Sequence, residues 1–153
     1  MFLTACGGSS PAAAPGTTPL TTPSGSPVDS ATTAAVSKTY ATVYGGTKDL
    51  ATLVASIQNG DKLSPVLAQA LKNPLTAGLT ATVSKVTAIN PHVVSVTFTL
   101  LSHGSPLLAN TKGKAVLVSG KWLLAADTYC GLLAASGHLP SQCSPAVIAI
   151  PSS

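Results

Sequence analysis

The strongest pattern in the chain is a strict alternation over "VVSVTFTLL", residues 93–101. Val94, Val96, Phe98 and Leu100 fall on one side, and Ser95, Thr97 and Thr99 on the other. A period of two with one apolar phase predicts a strand with one face buried. "LTATVSKVTAI", residues 79–89, alternates as well, but it changes phase midway. Leu79, Ala81 and Val83 share one phase, whereas Val86 and Ala88 take the other. A bulge near Ser84-Lys85 reconciles them, because one extra residue flips all later side chains. "HGSP" reads as a turn. "KGKAVLVSGKWLLAAD" then predicts two strands, 112–118 and 121–127, joined tightly at Ser119-Gly120.

Ahead of the strands the period is helical. Val36, Tyr40, Val43 and Tyr44 share one face of "AAVSKTYATVYGG", which Gly45-Gly46 ends. In "TKDLATLVASIQNG" Leu50, Leu53, Val54 and Ile57 form a stripe. Thr47 is its candidate N-cap, Asp49 sits in the first turn, and Gly60 is expected in the left-handed conformation after the last turn. "SPVLAQALKNP" predicts a third helix capped by Ser64, with Pro65 at its first position and Pro74 stopping it. After the strands, "TYCGLLAASG" predicts a short helix with Leu132 and Leu133 inward and Gly137 at its end, and "HLPSQC" turns the chain back. Helices, then four strands, then a helix make an α+β fold with an antiparallel sheet.

The first 33 residues have neither period. Residues 7–33 are almost wholly Gly, Ser, Thr, Pro and Ala. Such a segment buries too little apolar surface to offset its ordering entropy, so it reads as a disordered tether. A flexible chain of that length spans about 30 Å root-mean-square. Before it stands Leu3-Thr4-Ala5-Cys6, which resembles a bacterial lipobox: an aliphatic residue and two small ones ahead of a cysteine. The resemblance implies a diacylglyceryl thioether on Cys6 and cleavage before it. A lipoprotein signal also has a charged region and an apolar stretch of about 7–15 residues. Only Met1 to Ala5 precede Cys6, so the coding start is expected to lie upstream. The competing reading is an unmodified thiol in the tail. The expected organisation is a signal remnant at 1–6, a tether at 7–33, a folded domain at 34–145 and a flexible tail at 146–153.

Composition narrows the function. Charged residues are 8% of the chain, and the formal net charge of +4 comes from eight scattered lysines with no arginine. A nucleic-acid surface needs a basic patch and favours the bidentate guanidinium, and neither is present. No apolar run reaches the roughly 20 residues of a membrane helix. The expected membrane contact is therefore a lipid anchor at the extracytoplasmic face of the cell membrane. Cys130 and Cys143 bracket the last helix and its return loop. Paired, they would contribute about 3 kcal/mol by loop entropy, and an exported location permits oxidation. Two free thiols or half of a zinc site are the alternatives. Zinc would need two further ligands, and only His138 is near in sequence.

The segment "GKAVLVSGKWLLAADTYCGLLAASGHLPSQC" is similar to the C-terminal signature of small exported actinobacterial proteins, often lipoproteins. Gly120, Trp122, Thr128, Cys130, Leu132 and Cys143 carry the resemblance. The wider domain resembles the low-molecular-weight antigen MTB12 family. MTB12 proteins as usually described lack the cysteine pair, so the likeness is nearest to their lipoprotein relatives. The resemblance implies an NTF2-like, or cystatin-like, cone: helices across a curved four-stranded antiparallel sheet. It implies export and antigenicity and carries no established activity.

Within such a cone, Tyr40, Tyr44, Val96, Phe98 and Trp122 are the candidate lining of an apolar pocket. Enzymes of this fold pair an Asp base with a tyrosine. Asp127 is the candidate carboxylate, with Tyr40, Tyr44 or Tyr129. The competing reading of Asp127 is an N-cap of the last helix, alone or with Thr128. Trp122 also reads as a plug of the sheet core. His92, His103 and His138 are scattered, glutamate is absent, and no serine sits in a Gly-x-Ser-x-Gly elbow. The expectation is a non-catalytic binding module without a cofactor, its partner an apolar small molecule or an envelope protein. The alternative is an isomerase- or dehydratase-type enzyme.

Overall fold

The computed structural model describes residues 26–45 and 49–150. Cys6, most of the tether and Thr47 lie outside the described residues. Four strands form one antiparallel sheet in the order β1-β2-β3-β4: Leu79–Asn90, Val93–Ser102, Ser105–Val118 and Lys121–Leu124. Around it stand α1 (Ser30–Tyr44), α2 (Leu50–Ser56), α3 (Gly60–Lys72), a 3₁₀ turn at Pro74–Thr76, α4 (Ala126–Ala135) and α5 (Pro145–Ile148). The fold is α+β, as the change of period predicts.

The bulge is where the phase change places it. The register between β1 and β2 shifts between Val83 and Lys85, and the Ser84 hydroxyl donates to the Thr97 carbonyl at 3.1 Å. One skipped residue lets Leu79, Ala81 and Val83 share the core face with buried Val86. Two hairpin turns carry positive φ at both central residues: His103 (50°) with Gly104 (82°), and Ser119 (50°) with Gly120 (77°). That geometry matches the twist of the strands it joins.

Several boundaries differ from expectation. α1 begins at Ser30, inside the expected tether, because Asp29 caps it: its carboxylate accepts from the Thr32 amide at 3.3 Å. Ser26 also accepts from the Ala88 amide at 2.7 Å, and Pro27 bridges Thr87 at the edge of β1. Asp49 is itself the N-cap of α2, accepting from the Thr52 amide at 3.1 Å. The left-handed residue after α2 is Asn59 (φ 54°), not Gly60. Gly60 opens α3, and it is glycine for space: a Cβ there would lie 2.1 Å from the Val54 carbonyl oxygen. α3 therefore starts before Ser64, and Pro65 sits inside it, giving up one helical hydrogen bond.

β3 begins at Ser105 rather than 112, since its first residues pair with β2 where both faces are exposed and no alternation is selected. β4 stops at Leu124, and α4 starts at Ala126. The expected flexible tail is also revised through residue 150. Val147 of α5 is buried in the main core, and Ile150 packs on a small second cluster of Val93, Val116 and Ala125.

Candidate functional site

The inward side chains of β2 meet α1 directly. Tyr40 stands over Phe98 with ring centroids 4.9 Å apart, and its hydroxyl donates to the Lys114 carbonyl at 3.0 Å. Gly113 makes room for it, for a Cβ there would lie 2.6 Å from the Tyr40 hydroxyl and 2.7 Å from Thr128 Cγ2. Tyr40, Val96 and Phe98 are consequently sealed in the core at 0% exposure. Trp122 is partly buried and packs on the same core from β4. These four were expected to line the pocket, and they do not. Alternation tells which face of β2 is covered, but not that an aromatic ring from α1 fills the space opposite.

Tyr44, one turn further along α1, is the expected lining residue that does border a cavity. Its ring stacks on Phe98 at 5.9 Å between centroids and 12° between planes. α1 ends there. Beyond it, α3, the sheet end at Leu79 and Leu100, and α4 enclose a half-open cavity of about 620 Å³. Val66, Leu67 and Ala70 contribute from α3, and Tyr129, Leu132 and Leu133 from α4. The mouth carries exposed residues, among them Gln69, Asn73, His138 and Leu139. Leu139 is 65% exposed, and Leu75, in the 3₁₀ turn beside the mouth, is 75% exposed. Among the described residues no Lys, Asp or Glu lines the wall. Burial raises the phenol pKa of Tyr44 well above its ordinary value, with the neighbouring Tyr129 adding to the effect. Burial pushes Tyr129 up to about 12.

Three attachments hold α4 in this wall. First, β4 is short, so β3 leaves a free edge at Lys114 that α4 takes over. The Ala125 amide donates to the Lys114 carbonyl at 3.1 Å, and the Lys114 amide donates to Thr128 Oγ1 at 2.8 Å. Second, the buried Gln58 serves the helix start. Its side-chain oxygen accepts from the Ala126 amide at 3.1 Å, and its nitrogen donates to the Ala149 carbonyl at 2.9 Å. Third, Cys130 and Cys143 form a disulfide with Cα atoms 5.8 Å apart. It fixes the return loop, whose residues Gly137 to Pro140 form part of the mouth.

Asp127 is not the N-cap; Ala125 occupies that position and offers no side-chain acceptor. The Asp127 carboxylate instead pairs with Lys114 Nζ at 2.9 Å and accepts from Thr128 Oγ1 at 3.2 Å. It lies in a separate polar cleft with Ser95, Lys112, Gly113 and Gly131, outside the apolar cavity. The tyrosines Tyr44 and Tyr129 line the cavity, and Asp127 does not. Tyr40 has its hydroxyl on the Lys114 carbonyl. Sequence reasoning missed Gln58 and Gly113 altogether. A lone glutamine at a helix end and a glycine in a Lys-Gly-Lys run give no signal without the elements that meet them.

The fold defines a small α+β domain: an open antiparallel sheet under helices, fastened near its C-terminus by a disulfide. The chain belongs to a known family of this kind. Residues 29–140 match the C-terminal domain of low molecular weight antigen MTB12. No curated protein matches the chain. The signature residues acquire physical roles within this domain. Gly120 makes the hairpin turn, Thr128 ties α4 to β3, Cys130 anchors the return loop and Leu132 lines the cavity.

Proposed function

We propose that this is a lipid-anchored protein of the cell envelope whose folded domain is a non-catalytic binding module, with the cavity between α3 and α4 as its ligand site. The cavity itself carries the reading. Its volume of about 620 Å³ falls within the range of about 300–1,000 Å³ usual for small-molecule sites. Its wall is mainly leucine, valine and tyrosine, which suits an apolar ligand. The separation of Asp127 from that wall speaks against the isomerase-type alternative, which needs a carboxylate inside the apolar pocket. Anchoring rests on the lipobox resemblance at Cys6. Among the described residues no helix is long and apolar enough to cross a membrane, so the proposed attachment is through the lipid.

Two measurements test the reading. Native mass spectrometry of the full chain recovered from its own envelope should show a bound apolar molecule, and Ala70→Phe, which fills the cavity from α3, should abolish it. An unliganded wild type that takes up no apolar probe sinks the binding reading. Expressed with a lipoprotein signal peptide placed ahead of Cys6, the chain should partition to the membrane fraction and Cys6→Ala should move it out; unchanged partitioning sinks the anchor.

A further inference from the structure

Four lysines that lie apart in the sequence meet on one face of the sheet. The outer face, opposite Val94, Val96 and Phe98, carries Ser95, Thr97 and Thr99 of β2. Residues directly opposite each other on antiparallel neighbours point to the same side. Thr97 is paired with Lys85 of β1 and with Lys112 of β3, and Ser95 with Thr87 and Lys114. Further along the same face, Val118 is paired with Lys121 of β4. Lys85, Lys112 and Lys121 are exposed, and Lys114 is partly exposed. Lys112 Nζ donates to Thr97 Oγ1 at 2.9 Å, which holds its charge against the sheet. Ile150 covers the part of this face formed by Val93 and Val116.

The acidic side chains are distributed the opposite way, and all four of the chain are among the described residues. Asp29 and Asp49 cap α1 and α2, and Asp61 lies in the first turn of α3. Asp127 alone stands beside the lysines, paired with Lys114. The outer face therefore sets four lysines against one aspartate, whereas α1 to α3 and their caps set Lys38, Lys62 and Lys72 against three. By the spacing of strands and residues, the four lysines spread over about 20 Å. A single phosphate cannot meet a row of that extent, but a plane of phosphates can. An anionic bilayer presents such a plane and gains about fivefold in affinity for each lysine at its surface. The chain enters the domain beside this face. The Ser26 carbonyl accepts from the Ala88 amide, and Pro27 bridges Thr87, which is paired with Ser95. Nineteen residues lie between Cys6 and Ser26, so an anchored Cys6 keeps the face within about 70 Å of the bilayer. We propose that the domain lies with its outer sheet face against the anionic phosphate headgroups of the membrane, with Lys85, Lys112, Lys114 and Lys121 as the contacts and α1 to α3 on the far side. The choice of the membrane as partner rests on the lipid-anchored reading.

The test uses the full chain made without a signal peptide, so that Cys6 carries no lipid. It is sedimented with vesicles of phosphatidylcholine, alone or mixed equally with phosphatidylglycerol. In about 50 mM salt, wild type should bind the anionic vesicles at least tenfold more tightly than the neutral ones. About 0.5 M salt should remove the difference by screening. Lys85→Gln/Lys112→Gln/Lys121→Gln should weaken anionic binding at least tenfold. Lys38→Gln/Lys62→Gln/Lys72→Gln, which takes the same charge from the helices, should stay within about threefold of wild type, because those lysines face away from the bilayer. Asp127→Asn frees Lys114 and should bind about two- to fivefold more tightly. That gain should be confined to the anionic vesicles, which misfolding would not produce. Equal partition of wild type to both vesicles overturns the inference, as do equal losses in the two triple variants. An oligonucleotide bound more tightly than the anionic vesicles overturns the membrane as partner. All three leave the lipid anchor standing, since no lipid is attached here. Failure of the Cys6→Ala test with the vesicle results intact removes the anchor and keeps the face.

Discussion

At the level of single residues, the contacts of Asp127 change what its substitution does. An N-cap carboxylate would be replaced well by Asn and poorly by Ala. Here the carboxylate meets Lys114 Nζ and Thr128 Oγ1 and accepts no backbone amide, so Asn and Ala should behave alike. Each should lose about 1 kcal/mol or less, the scale of a partly exposed pair. Urea midpoints for Asp127→Asn, Asp127→Ala and Lys114→Met check this; Ala clearly below Asn would restore the cap. Gln58 should matter far more. Gln58→Leu strips the acceptor from the Ala126 amide, and Ala126 is fully buried. The expected loss is about 1–3 kcal/mol. Gly113→Ala should cost a similar amount by overpacking, since its Cβ would press on Tyr40, Thr128 and Phe98. A Gly113→Ala protein as stable as wild type would mean that Tyr40 moves freely, against the packing described.

Among the elements, α4 carries the most consequence, for it joins the sheet edge, the C-terminal segment and the cavity wall. The disulfide closes a loop with a sequence separation of 13. Cys130→Ala/Cys143→Ala should therefore lose about 2–5 kcal/mol of stability. It should also weaken uptake of a neutral apolar fluorescent probe such as N-phenyl-1-naphthylamine, because Gly137 to Pro140 form part of the mouth. Global stability and uptake need not fall together in other variants. A Gln58→Leu protein, destabilised but with its disulfide intact, should keep its affinity at temperatures where it is folded. Parallel titrations of the two variants separate a local mouth effect from a general loss of folding. Equal affinity in the disulfide-free protein would remove the mouth role from the bridge.

Across the whole molecule, titration extremes expose how the core is built. All three tyrosines of the chain, Tyr40, Tyr44 and Tyr129, are buried and raised in pKa, chiefly by desolvation. Unfolded, they would ionise near the ordinary value of 10. Between that value and the folded ones the unfolded chain holds fewer protons, so stability falls as pH rises. The contribution is complete below about pH 10 and drains away through the folded pKa of Tyr129, about 12, and beyond. Tyrosinate absorbance should thus appear together with loss of circular dichroism, in one cooperative step above pH 10. A tyrosinate signal preceding unfolding would contradict the sealed core. At the acid end the sign reverses. Asp29 and Asp49 are held below their ordinary value by hydrogen bonds from Thr32 and Thr52. Their support for α1 and α2 is present above about pH 4 and is lost as pH falls through their folded values.

Periodicity alone determined that helices precede four strands, where the Ser84 bulge falls and which face of β2 is inward. These are local matters: side-chain alternation, helix spacing and turn chemistry act over a few residues, and burial imprints them on composition. The cysteine pair, too, is legible because its sequence separation is short. Only the tertiary structure decided where the empty space lies. Tyr40, Val96 and Phe98 have the same apolar character as true cavity residues, and what separates core from cavity is whether another element fills the opposite side. α1 fills it at Tyr40 and ends at Tyr44, leaving α3 and α4 to wall the remainder. The same reason hides Gln58, Gly113 and the true partner of Asp127. Each owes its role to a residue between 13 and 91 positions away, as with Lys114 to Asp127 and Gln58 to Ala149. No local pattern selects such residues, because their environment exists only once the chain has closed.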